Sequence, residues 1–145
     1  ELTGAHNRYH CPLARTVSLG TPSKDLDYVA NATAEGLNNV LEAIRPGVAT
    51  RELASTWNLT LGKHRLEKPS RLGYSIGIGY PPDWGERTIS FRAEDDTILE
   101  PGMTFHFMPG LWMEDWGLEI TESILITPDG PAEPLCNRPR DVVVK

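Results

Sequence analysis

An α+β fold is predicted from two observations: two stretches with helical spacing lie between strand segments, and the C-terminal part is a run of strands bounded by turn signals. In residues 23–44, Leu26, Val29, Ala30, Thr33, Leu37, Val40, Leu41 and Ile44 recur at three and four, the spacing of one helical face. Arg45-Pro46-Gly47 ends that stretch, and Thr50 is placed as the N-cap of a second helix running to about His64. Leu53, Trp57 and Leu61 form its apolar stripe. Further on, Pro101-Gly102, Pro109-Gly110 and Asp129-Gly130 supply turn chemistry, because Pro presets φ and Gly accepts φ > 0. Between them, residues 104–108 and 118–127 carry the β-branched and aromatic side chains that suit a pleated surface, and they read as a hairpin-like pair.

The chain has 145 residues, enough for a single domain over 1–145 that buries roughly 68–70% of its unfolded surface. Fourteen basic against 20 acidic residues give a net charge of −6, and the basic residues are scattered. That pattern argues against a nucleic-acid partner, which needs a clustered positive face. No apolar run approaches the ~20 residues of a membrane span. Two cysteines, Cys11 and Cys136, are too few for a disulfide framework, so the default expectation is a reduced, cytoplasmic protein. Gly77-Ile-Gly79 lacks the third glycine and the following helix of a nucleotide-binding fingerprint. The sequons at Asn31 and Asn58 fall within the expected helices and are disregarded.

The segments Leu99-Glu-Pro-Gly-Met-Thr-Phe-His-Phe-Met-Pro-Gly110 and Gly117-Leu-Glu-Ile-Thr-Glu-Ser-Ile-Leu-Ile-Thr-Pro-Asp-Gly130 resemble the last strands of the creatinase/aminopeptidase "pita-bread" hydrolases. In that family a Pro-Gly-Met turn leads to a strand ending in Glu-Pro-Gly, and a second strand ends in Thr-x-Asp-Gly. The resemblance implies the C-terminal part of a pita-bread fold, a curved antiparallel sheet with two main helices. Gly73-Tyr-Ser-Ile-Gly-Ile-Gly-Tyr-Pro-Pro-Asp-Trp-Gly-Glu86 is most similar to the ectoine-hydrolase branch and its Xaa-Pro dipeptidase-like relatives. The opening at Glu1, which the resemblance places in a mid-domain strand, leads us to expect a C-terminal fragment of a larger enzyme. Such a fragment is expected to be inactive by itself.

Metal-dependent members place a pair of divalent cations on five ligands, and this sequence departs from them. Met108 stands at the Glu-Pro-Gly glutamate, Thr121 at the second-strand glutamate, Tyr74 at the metal histidine and Pro12 at one aspartate; the other aspartate falls at Glu1 or Leu2. A further family histidine falls at about Pro81. A hard divalent cation needs oxygen or nitrogen donors at fixed geometry, so no metal and no other cofactor is expected.

Candidate site residues follow from the strand period and the resemblance together. His106, Glu119 and Glu122 are the acid–base candidates. Alternation puts His106 with Thr104 and Met108, Glu119 with Thr121, and Glu122 on the apolar face of Leu118, Ile120, Ile124 and Ile126, where an unpaired carboxylate is costly. Tyr74, Asp83, Trp84 and Glu86 are expected to line a pocket for a small zwitterion, with Trp84 against a cationic or amidinium group. Arg15, which matches a family arginine that orients its neighbours, is expected to join these residues in binding the substrate. The resemblance implies metal-independent hydrolysis of a C–N bond in a small amidine or amide, by a homodimer with no nucleic-acid or membrane partner. An Xaa-Pro dipeptidase-like metallopeptidase and a non-catalytic binding module are the alternatives.

Overall fold

Ser23 is extended and its hydroxyl accepts the Leu26 N–H, so α1 (Lys24–Ala43) begins with a side-chain cap. The computed structural model describes residues 1–80, 83–85 and 87–145. Its chain order is β1 (Leu2–His6), β2 (Tyr9–Leu13), β3 (Val17–Ser18), α1, α2 (Thr50–Lys63), β4 (Gly73–Ser75), β5 (Thr104–Phe107), β6 (Gly110–Trp112), β7 (Gly117–Glu119), β8 (Glu122–Leu125), β9 (Glu133–Pro134) and β10 (Val143–Val144). The expected helical face of α1 is buried from Val29 to Leu41, with Leu26 packed at its margin.

The second helix starts one residue earlier than a Thr50 cap requires. Ala49 is the N-cap and has no side chain to offer, while Thr50 is already helical. The loop at 95–97 satisfies the helix start: Thr50 N–H donates to the Thr97 carbonyl, Arg51 N–H to the Asp95 carbonyl, and the Thr50 hydroxyl to Asp95 Oδ1. Glu52 Oε1 accepts the Ala49 N–H. A partner 45 residues away has taken over the work of a local cap.

β4, β5, β8 and β9 form an antiparallel sheet in that order. The expected hairpin-like pair survives as β5 against β8, but the second strand is broken at Ile120–Thr121. There the Ile120 N–H turns to Pro109 and the Thr121 N–H to Ala14. Before the break, β6 and β7 pair as a separate ribbon. β1 and β2 form a third unit, turned at Asn7 and Arg8 with φ of 50° and 71° as a two-residue hairpin loop demands. β10 runs parallel to β3.

Register divides the four-stranded sheet into two faces. Phe107 lies opposite Glu122 and Phe105 opposite Ile124, while Tyr74 lies opposite His106 and His106 opposite Ser123. Directly opposed residues share a face. Phe105 and Phe107 meet Phe91 at ring-centroid distances of 4.8 and 6.1 Å, and Phe107 meets Trp57 of α2 at 6.3 Å. This face is the core; His106 and Tyr74 are on the other.

Trp57 also lies over Gly36 of α1, where an added Cβ would come within 2.7 Å of the ring. An added Cβ at Gly62 of α2 meets nothing within 4 Å. Gly62→Ala should therefore stabilise the fold by about 0.5–1 kcal/mol through helix propensity. Gly36→Ala should instead lose about 1–2 kcal/mol, because overpacking at about 1–3 kcal/mol outweighs the same helix gain. Urea unfolding of the two variants measures this, and stabilisation by both would show that Trp57 can move aside.

Candidate active site

On the face away from the helices, Trp84 Nε1 donates to the Tyr74 hydroxyl at 3.0 Å, and that hydroxyl lies 2.8 Å from His106 Nδ1. An indole N–H can only donate, so the pairing that uses the phenol's own proton has Tyr74 donate to Nδ1 and leaves the ring proton on Nε2. Glu1 Oε1 stands 3.6 Å from the same Nδ1. The Tyr74 and His106 rings meet edge to face at 5.3 Å, and Arg71 Cζ lies 4.4 Å from the Tyr74 ring centroid. A cavity of about 210 Å³ opens here among Arg71, Tyr74, Asp83, Trp84, Gly85 and Arg87.

Burial sets the protonation of this group. His106 is fully buried, and desolvation, helped by the Arg71 charge, lowers its pKa to about 4. Burial also pushes Tyr74 upward. Glu119, half-buried, is raised by desolvation and by the neighbouring Glu1 carboxylate, while the N-terminal ammonium and then Lys68 oppose the shift. Lys68 is itself buried, donates to Ser70 at 2.7 Å, and is lowered by desolvation. A carboxyl raised toward neutrality beside a second carboxylate is the arrangement of a general base or acid. Glu119 packs over Gly110, where a Cβ would sit 3.3 Å from its Oε1. The turn that the sequence predicts at Pro109-Gly110 does not form; Gly110 opens β6, and its missing side chain leaves room for this carboxylate.

Glu122 and Arg15 are not part of this cavity. Register with Phe107 puts Glu122 on the helix-facing side, fully buried, with Oε1 bound by Arg15 Nη2 at 2.6 Å and by Arg140 Nε at 3.0 Å. Arg15 spends its remaining donors on the carbonyls of Ala14, Thr121, Arg138 and Pro139. The alternation expected for Glu122 and Ile124 holds; the two arginines offset the burial cost at Oε1, while Oε2 has no hydrogen-bond partner among the described residues. Asp83 accepts the Gly85 N–H and lines the cavity with Trp84. Glu86, expected at the rim, and Pro81 lie outside the described residues. Glu1, Lys68 and Arg71 were not singled out from the sequence as site residues, and only Glu1 carried a signal, its place at a ligand position.

The residues at the family's ligand positions do not fit a divalent pair. The Thr121 hydroxyl already accepts the Ala14 N–H at 2.7 Å, and the Tyr74 hydroxyl is engaged by Trp84 and His106. Pro12 and Met108 offer no hard side-chain donor. Among the described residues, no three His, Cys, Asp or Glu side chains converge in a way that could hold a metal ion. No helix is long and apolar enough to cross a membrane among the described residues. The larger cavity, about 510 Å³ beside the β1–β2 hairpin, contains none of the expected site residues.

Comparison with known proteins gives a consistent picture. The sequence pattern of metallopeptidase family M24 matches residues 1–128. The chain is 53% identical to the ectoine hydrolase of Halomonas elongata, aligning over all of itself and 36% of that protein. It is 29% identical to a probable dipeptidase PepE of Mycobacterium tuberculosis, over 94% of itself and 36% of that protein. The crystal structure of dipeptidase PepE from Mycobacterium ulcerans superposes with a TM-score of 0.89 at 25% identity, covering 98% of this chain and 38% of the other. The architecture is thus the pita-bread fold, and the chain spans little more than a third of the length of these relatives.

The low pKa of His106 has a signed consequence. Its folded value of about 4 lies below the unfolded 6.5, so its contribution to stability is present above pH 6.5 and is lost as pH falls toward 4. That difference corresponds to about 3 kcal/mol. Glu119, shifted upward, acts in the opposite direction over acid pH. An NMR titration should find the His106 ring neutral at pH 5.5, and His106→Gln should flatten the acid fall in stability. A midpoint near 6.5 would contradict the burial argument.

Proposed function

The chain belongs to metallopeptidase family M24, and on that footing we propose that it serves a hydrolase that cleaves a C–N bond in a small amidine or amide without a divalent metal. The observation that carries this reading is the row Trp84–Tyr74–His106 with Glu1 and the raised Glu119 beside it. These are proton-handling groups, at or next to positions where the family keeps metal ligands. The identity to an ectoine hydrolase supports the amidine as substrate class.

In this reading Glu119 takes a proton from water as the water oxygen attacks the amidine or amide carbon. The same carboxyl returns that proton to the departing nitrogen as the C–N bond breaks, so no other proton source is required. Tyr74, which donates to His106 and accepts from Trp84, keeps one lone pair to accept an amidinium N–H. His106 is buried and acts through Tyr74. Trp84 and Asp83 face the cationic amidinium, by cation–π contact and opposite charge. Glu122 and Arg15 act structurally, by fixing the end of β8. A homodimer and a cytoplasmic location complete the proposal, the first from the family resemblance and the second from a cysteine count too low for a disulfide framework.

In the whole hydrolase that this chain serves, with ectoine as the probe amidine, Glu119→Gln should lower kcat by ~10²–10⁴-fold and leave the unfolding midpoint unchanged. Tyr74→Phe should raise KM more than it lowers kcat. Wild-type turnover by Glu119→Gln would remove the proposed base. Turnover of Xaa-Pro dipeptides in place of ectoine would favour the peptidase reading.

A further inference from the structure

Cys11 and Cys136 are 125 residues apart in sequence, yet their Sγ atoms lie 3.8 Å from each other. Both are free thiols and both are half-buried, within reach of a small oxidant. One residue of β8 holds the two segments together. Ser123 Oγ donates to the carbonyl of Pro12, next to Cys11, at 2.7 Å. The Ser123 carbonyl accepts the N–H of Leu135, next to Cys136, at 2.8 Å. Just beyond Cys136 the carbonyls of Arg138 and Pro139 bind Arg15, and Arg140 binds Glu122. The thiols are therefore held face to face by contacts on either side of each, and the ~2.05 Å of a disulfide is reached if the sulfurs, now 3.8 Å apart, approach by about 1.8 Å.

We propose that Cys11 and Cys136 are a reversible oxidation site, forming an intramolecular disulfide that staples the β1–β2 hairpin to the C-terminal segment. One thiolate attacks glutathione disulfide and releases a glutathione thiolate. The second protein thiolate then attacks the mixed disulfide and releases the other, so the two cysteines lose two electrons and two protons and the oxidant becomes two glutathione thiols. A thiol already 3.8 Å away outcompetes dissolved glutathione for the second step.

The folded protein is incubated with glutathione disulfide, and its thiols are then titrated and its peptides mapped. The expected result is loss of both thiols, a linked Cys11–Cys136 peptide, and a rise in Tm of about 10 °C that dithiothreitol reverses. Cys11→Ser should take up one glutathione and show no such rise. Retention of both thiols, stable glutathione adducts at both cysteines, links between molecules, or a linked product with no rise in Tm would each overturn the proposal.

Discussion

The alternation of three residues in β5 decides most of this structure. Phe105 and Phe107 must enter the core against Phe91 and Trp57, and a strand's period of two then sends His106 to the opposite face. Tyr74 is drawn to the same face by register, and its hydroxyl meets Nδ1. A slip of one residue would turn the histidine toward the aromatic rings and put two phenylalanines on the polar face. The aromatic contacts that hold the sheet to α2 are thus also what aim the polar row.

The same register explains why two glutamates three residues apart have such different surroundings. Glu122, opposite Phe107, is carried into the helix-side interior, where Arg15 and Arg140 bind one of its oxygens. Removing one partner of a buried pair leaves a charge worth about 3–5 kcal/mol of instability, so the pair constrains where the C-terminal segment can lie. Glu119 precedes the break at Ile120–Thr121 and stays on the ribbon, near Glu1 and Lys68. The strand break separates a carboxylate fixed by arginines from one whose pKa burial and the Glu1 carboxylate push upward.

Local patterns were read directly from the chain. The apolar face of α1, the stripe of α2, the turns at Gly102 and Gly130 and the sidedness of His106 and Glu122 all follow from spacing or turn chemistry within a few residues. What was not legible depends on partners distant in sequence. The true start of α2 is set by Asp95, the ion pair of Glu122 by Arg15 and Arg140, and the protonation of Glu119 by Lys68 and Glu1. Lys68 shows the limit plainly: a lysine before a proline carries no sign that it will be buried. The ligand positions were legible because the family resemblance supplied a frame in which Tyr74 and Thr121 could be seen as replacements.

The central claim is that proton transfer at Glu119, with Tyr74 and His106 behind it, replaces metal chemistry in this site. The most direct measurement follows ectoine hydrolysis by the whole hydrolase that this chain serves, before and after exhaustive dialysis against a chelator, with elemental analysis of the same samples. The account predicts an unchanged rate with manganese, cobalt and zinc each far below one equivalent. A rate that disappears on dialysis and returns when one of these cations is added back would contradict it.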